Sequence, residues 1–253
     1  MSLAQPKRIL IIKLRHHGDV LLSTPVVDAL KTRFPDCEID MLVYAGTGQL
    51  IADNPQIAQI FTIDRNWKKL GVFKQLACEK NLLSKLKARD YDWAFNLSDQ
   101  WRAAIIAKLC ARCSVGLDCI KRDGFWWRFC HDFINHELDT SHHIVENQLN
   151  ILAPLIQPED VADAKVRLWV AQDARESMRQ KLREQGWSGE DYVLLHPGAR
   201  WHFKCWEDGK NAAIVQLLLN SGQNVVLTAS HNTVEQYMLQ EIIGRLNIPE
   251  GRK

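Results

Sequence analysis

Arg8-Ile-Leu-Ile-Ile-Lys13-Leu-Arg15-His-His17-Gly18-Asp19-Val-Leu-Leu-Ser-Thr24-Pro25 decides the fold. Ile9 to Ile12 is too short for a helix and is β-branched or aliphatic throughout, the composition of a central parallel strand buried on both faces. A short polar loop follows, and Gly18-Asp19 then opens a helical pattern. That loop leaves the carboxyl end of the strand, where open α/β sheets place their ligands. A carboxylate, Asp19, would there meet the cationic Lys13, Arg15, His16 and His17.

Strand and helix patterns alternate outward from this stretch. Val20 to Phe34 reads as a helix that Pro25 kinks or breaks. Ile39–Val43 reads as a second strand, Gln49 to Asp53 as a short helix, and Gln59–Ile63 as a third strand. Phe73 to Ala88 is an amphipathic helix, Asp92–Leu97 a fourth strand, and a helix runs on through Leu109. Val115–Leu117 is a short fifth strand, and His142 to Ile156 one more helix. This rhythm predicts a doubly wound parallel α/β sheet over residues 1–160. Residues 161–172, with a short extended piece at Val166–Val170, are expected to be a linker.

A second unit, 173–253, opens with a helix to Gln185, closed by Gly186. The strand Tyr192–His196, the helix Asn211–Asn220, the strand Asn224–Thr228 and the helix Thr233–Leu246 follow. Doubly wound domains use four or more strands, so two suggest that the sequence is cut inside this domain.

Totals exclude some classes. A net charge of +2 over 253 residues gives no argument for nucleic acid. Residues 65–89 carry eight cationic side chains against one acid, Glu79, which reads as a solvated helix face or as a surface for an anionic partner. The cysteines lie scattered at 37, 78, 110, 113, 119, 130 and 205. Cys110-Ala-Arg-Cys113 has metal-like spacing, but it falls on an apolar helical stretch and no second Cys-x-x-Cys follows. Buried, reduced thiols and no metal are expected. With no secretory leader or spanning apolar run in view, a cytoplasmic protein is expected.

Further constellations carry chemistry. Asp19 reads as an N-cap, and an N-cap carboxylate stays ionised, as a general base must. His196-Pro-Gly198-Ala199-Arg200-Trp-His-Phe-Lys204-Cys-Trp206 lies between strand and helix and offers close backbone approach and positive charge to phosphates. Thr228-Ala229-Ser230 gives small residues at a strand end, with room for a nucleotide's sugar or base. Lys121-Arg122-Asp-Gly-Phe125-Trp126-Trp127-Arg128-Phe129 reads as core packing or as an interfacial patch. His142-His143 is either a helix cap or a site-lining pair. Neither a GxGxxG nor a GxxxxGK[ST] loop occurs, which argues against a standard dinucleotide or P-loop enzyme. An S-adenosylmethionine-dependent methyltransferase is a rival α/β reading, but the first loop has a single glycine and the second strand ends without an acid.

The pattern Ile-Leu-Ile-Ile-Lys13…Gly18-Asp19…Thr24-Pro25 resembles the amino terminus of the bacterial lipopolysaccharide heptosyltransferases. Asn96-Leu-Ser-Asp99-Gln100-Trp101, His143-Ile-Val-Glu146-Asn147 and Lys204-Cys-Trp206 fall in that family's order. His17-Gly-Asp19, Asp99-Gln-Trp101 and Phe203-Lys-Cys-Trp206 look closest to its heptosyltransferase III branch. The resemblance implies a GT-B fold of two Rossmann-like domains facing a cleft. It implies inverting transfer of L-glycero-D-manno-heptose from ADP-heptose to a heptose of the inner core, without a metal. Asp19 would be the base and Lys204 would hold the donor phosphates. Gly18, His196, Gly198, Ala199, Arg200, Thr228 and Ala229 would complete the donor site. Lys13, Arg15, His17, Asp99, Gln100 and Trp101 would face the acceptor. A monomer on the inner face of the inner membrane is expected. The family's Asp-Ser/Thr-Gly/Ala-x-x-His donor segment would lie beyond Lys253, so the alternative is an inactive or non-catalytic acceptor- and nucleotide-binding module.

Overall fold

The computed structural model describes residues 5–117, 124–135, 141–161, 163–199 and 201–248. The chain divides into two compact units between Ala171 and Gln172.

In the first unit β1 (Arg8–Lys13), β2 (Glu38–Tyr44), β3 (Gln59–Ile63), β4 (Tyr91–Asn96), β5 (Ala111–Leu117) and β6 (Phe133–Asn135) form one sheet in the order β3-β2-β1-β4-β5-β6. Every neighbouring pair is parallel. Alternate residues of β1 enter two cores. Ile9 and Ile11 pack with Val26, Val27, Leu30, Met41 and Phe95. Leu10 and Ile12 pack with Leu42, Leu82, Leu86, Ala94, Ala103 and Ala107. Burial on both faces is why this strand is continuously apolar. On the first face lie α1 (His17–Leu21) and α2 (Thr24–Arg33), and on the second α3 (Val72–Lys87) and α4 (Trp101–Cys110). The strand order reverses between β1 and β4, and such a switch point opens a crevice beyond the carboxyl ends of the two strands.

Several boundaries differ from the sequence reading. The expected helix from Val20 to Phe34 is two helices. The break falls at Leu22 and Ser23, and Pro25 sits in the first turn of α2, where its missing N–H costs nothing. The helix expected over His142 to Ile156 is only α6 (Ile144–Leu149), followed by a 3₁₀ turn at Asn150–Leu152. Gln49 to Asp53 is replaced by a 3₁₀ turn, Thr47–Ile51. Cys110 ends α4 while Cys113 lies in β5, so the two do not share a helix. Both are buried, and burial pushes each thiol up to about 11. Cys119 lies outside the described residues, as do Lys121 and Arg122.

The stretch expected as a linker is tied to the first unit. Lys165 N–H donates to Asp28 Oδ2 (3.2 Å), Arg167 Nε to Asp28 Oδ1 (3.0 Å), and Ala171 N–H to Asp53 Oδ2 (3.2 Å).

The second unit contains α7 (Gln172–Glu184), β7 (Tyr192–Leu195), α8 (Asp208–Asn220), β8 (Asn224–Leu227) and α9 (Thr233–Gly244). β7 and β8 pair in parallel, and Ala212, Met238 and Ile242 form a small core with Leu227. Gly186, at φ +88°, donates its N–H to Arg183 O (2.9 Å) and closes α7 as expected.

Candidate functional site

The β1 and β4 exits are stitched together. Ile12 stands opposite Asn96. Asn96 Oδ1 accepts from Ser98 N–H (3.0 Å), and Ser98 Oγ accepts from Leu14 N–H (2.7 Å). Gln100 uses both ends of its amide, donating Nε2 to Leu14 O (2.9 Å) and accepting at Oε1 from Tyr44 Oη (2.6 Å). The guanidinium of Arg65 lies over the Tyr44 ring at 4.1 Å. The loop carrying Asp19 is thus held by a neighbouring loop 84 residues away in sequence.

Asp19 is not the N-cap. It is the third residue of α1, His16 is the cap, and Asp19 Oδ2 accepts from His16 N–H at 3.3 Å. The carboxylate is half-buried, and Gly18 before it is exposed, with no atom within 4 Å of where a Cβ would stand. His17 Nε2 lies 3.1 Å from Gly46 O. Arg15 pairs with Asp99 at 2.8 Å, so these two expected acceptor contacts partly neutralise each other.

Lys13 lies deeper than expected. It is 4% exposed, and its Nζ donates to Leu97 O at 3.1 Å. Burial lowers its pKa to about 8, against the opposing pull of the Asp19 carboxylate and, more weakly, Asp99. Trp101 rests edge-on against Trp127 at 5.5 Å.

Sequence reasoning missed the parts that lock this crevice. Ser98 and Tyr44 tie the loops, and His131 supports Asn96. The buried His131 ring meets Asn96 Nδ2 through Nε2 (3.1 Å) and Trp127 O through Nδ1 (2.9 Å). The Trp127 carbonyl can only accept, so Nδ1 carries the proton and Nε2 accepts from Asn96. Burial holds the His131 pKa below its ordinary value. The available signal was the run of small polar residues closing β4. His143 resolves as a cap, its Nδ1 accepting from Val145 N–H (3.3 Å).

In the second unit the β7 and β8 exits converge. His196 Nδ1 lies 3.1 Å from Thr228 Oγ1, and Thr228 N–H donates to Leu195 O (3.1 Å). A Cβ on Gly198 would stand 2.7 Å from Glu235 Oε2. Glu235, not anticipated, accepts from Ser230 N–H at 2.9 Å, and this bond keeps its carboxyl below the usual range. An Asn232-x-x-Glu235 spacing at a helix start was its signal. Ala199 is half-buried, Lys204 is exposed at the end of a 3₁₀ turn, and Arg200 lies outside the described residues. Among the described residues no three His, Cys, Asp or Glu side chains converge as metal ligands.

Residues 80–249 match the family glycosyltransferase family 9 (heptosyltransferase). The chain is 34% identical over 232 residues to lipopolysaccharide heptosyltransferase 3 of Escherichia coli K12, covering 90% of this chain and spanning 65% of that protein. In fold it resembles a family 9 glycosyltransferase of Veillonella parvula, with a TM-score of 0.83 at 19% identity over 98% of this chain and 69% of the other. It also resembles E. coli heptosyltransferase WaaC with ADP-2-deoxy-2-fluoro heptose, with a TM-score of 0.71 at 18% identity over 97% and 74%. This chain belongs to glycosyltransferase family 9, the heptosyltransferase family.

Proposed function

We propose that the protein transfers L-glycero-D-manno-heptose from ADP-heptose to a heptose of the lipopolysaccharide inner core, with inversion. The observation that carries this reading is the half-buried Asp19 at the switch-point crevice, held by His16 N–H and flanked by the buried Lys13. A base for an acceptor hydroxyl must be ionised, positioned and reachable. The hydrogen bond from His16 N–H and the stitched loops position it, and the exposed Gly18 leaves it reachable.

The acceptor oxygen attacks the anomeric carbon as its proton passes to Asp19. The bond from that carbon to the diphosphate oxygen breaks, and ADP leaves with the electron pair. Attack opposite the leaving group inverts the centre. Lys204 and the backbone N–H groups around Gly198 and Ala199 would carry the departing charge without a metal, with His196, Thr228 and Ala229 around the nucleoside. His17, Arg15, Asp99, Gln100 and Trp101 would face the acceptor. In this reading a monomer works at the inner face of the inner membrane through peripheral contact. No helix among the described residues is long and apolar enough to cross a membrane. The relatives' family and the heptose nucleotide named with WaaC favour a heptose donor.

Ligand-induced thermal shift tests the donor assignment. ADP and ADP-heptose should raise the melting temperature, by about 2.7 kcal/mol of stability at a hundredfold excess over Kd. UDP and S-adenosylmethionine should not. No shift with either adenosine diphosphate ligand, or an equal shift with UDP, would remove the assignment.

A further inference from the structure

One edge of the helical layer is apolar where it should be polar. Phe73, in the first turn of α3, is 89% exposed, with Val72 and Leu76 beside it. On α5 (Phe125–Phe129) three more rings stand in solvent, with Phe125 74%, Trp126 68% and Phe129 60% exposed. These rings touch one another at centroid distances of 5.5 to 6.4 Å. Trp127, in the same short helix, is fully buried and donates Nε1–H to Leu117 O at 3.3 Å. One ring thus pins the helix to the body of the unit while three point out.

The two groups share an edge. In a parallel α/β unit each connecting helix starts at the carboxyl ends of the strands, so the amino termini of α3 and α4 lie on the edge where the Asp19 crevice opens. Trp101, the first residue of α4, contacts Trp127 of α5. The charge around the α3 group is one-sided. Lys68, Lys69, Lys74 and Lys80 are exposed, and the single acid of the segment, Glu79, is paired with Arg102 at 2.5 Å. Exposed aromatic and aliphatic side chains among lysines fit the interface of an anionic bilayer, where rings enter the acyl boundary and ammonium groups meet lipid phosphates. Protein–protein interfaces are depleted in lysine, so a ring cluster set among lysines fits a protein partner less well.

We propose that Phe73 and the Phe125-Trp126-Phe129 knuckle dock the carboxyl edge of the first unit on an anionic lipid surface. This rests on the peripheral contact proposed above and names the surface that makes it. The crevice would thereby open at the level of lipid headgroups.

The test is co-sedimentation of the 253-residue chain with vesicles, which reads lipid binding without any transfer activity. Vesicles of phosphatidylethanolamine and phosphatidylglycerol should bring the chain down at low salt, and phosphatidylcholine vesicles should do so at least tenfold less. Raising salt to about 0.5 M, where the screening length is roughly 4 Å, should weaken but not abolish binding. Phe73→Ser, and separately Trp126→Ser with Phe129→Ser, should each weaken binding about tenfold with circular dichroism and ADP-induced thermal shift unchanged. Absence of binding by the unaltered chain, or equal binding by the variants, would overturn the proposal. So would a concentration-dependent dimer that the same variants dissolve, since the patch would then belong to a second copy. Loss of transfer with vesicle binding intact would instead count against the catalytic reading alone.

Discussion

Lys13 is a cation placed where water cannot reach it, and the consequence is measurable. Its pKa is about 8 in the folded chain and close to 10.4 when unfolded. Between those values the unfolded chain binds more protons, so stability rises with pH across that window. Below pH 8 the protonated folded state carries a cost of about 3 kcal/mol. Lys13→Met removes the charge and keeps most of the stem. The variant should therefore melt above the unaltered chain at pH 7, the gap closing by pH 10, while transfer falls. A lower melting temperature at pH 7 would make the ammonium a net structural contributor. Gly198 is the second test at this scale. Gly198→Ala puts a Cβ against the Glu235 carboxylate. Since a flexible side chain can give way, the stability cost should stay under about 1 kcal/mol. Breaking the Glu235–Ser230 contact should nevertheless abolish the ADP-induced thermal shift, and a retained shift would remove this loop from the donor site. Residue types at strand ends were readable at this scale. The depth of Lys13 and the pairing of Arg15 with Asp99 were not, since both depend on contacts 84 residues apart.

Elements announced themselves in proportion to their length and to how local their contacts are. β1 and α3 carry enough residues for a periodicity. β6 has three residues and exists only by pairing with β5 across Val115 and Phe133. α5 has five residues, and its hold comes from one buried Trp. The seam between these elements depends on Gly116 of β5. A Cβ there would lie 2.5 Å from the His131 ring, which is bonded on both nitrogens and has nowhere to move. Gly116→Ala should destabilise the chain by about 3 kcal/mol, read by denaturant melting. A cost under about 0.5 kcal/mol would mean that the imidazole is loosely held. His142 to Ile156 was misjudged because a helical pattern in sequence does not distinguish an α-helix from one short helix, a 3₁₀ turn and further turns.

At the scale of the molecule, the alternation of strands and helices was legible because each βαβ step is local in sequence. The segment 163–171 escaped that logic. Polar and open in composition, it is nonetheless fastened to α2 through Asp28. Hydrogen bonds from Gln56, Lys165 N–H and Arg167 hold the Asp28 carboxyl below its usual range despite burial. The central claim is that Asp19 takes a proton in heptose transfer from ADP-heptose. Release of ADP, followed with ADP-heptose and a heptose-bearing core acceptor for the unaltered chain and for Asp19→Asn, tests it most directly. The account predicts acceptor-dependent release that falls at least about a hundredfold in Asp19→Asn, with the ADP-induced thermal shift preserved. Equal rates for the two chains, or no acceptor-dependent release by the unaltered one, would contradict it.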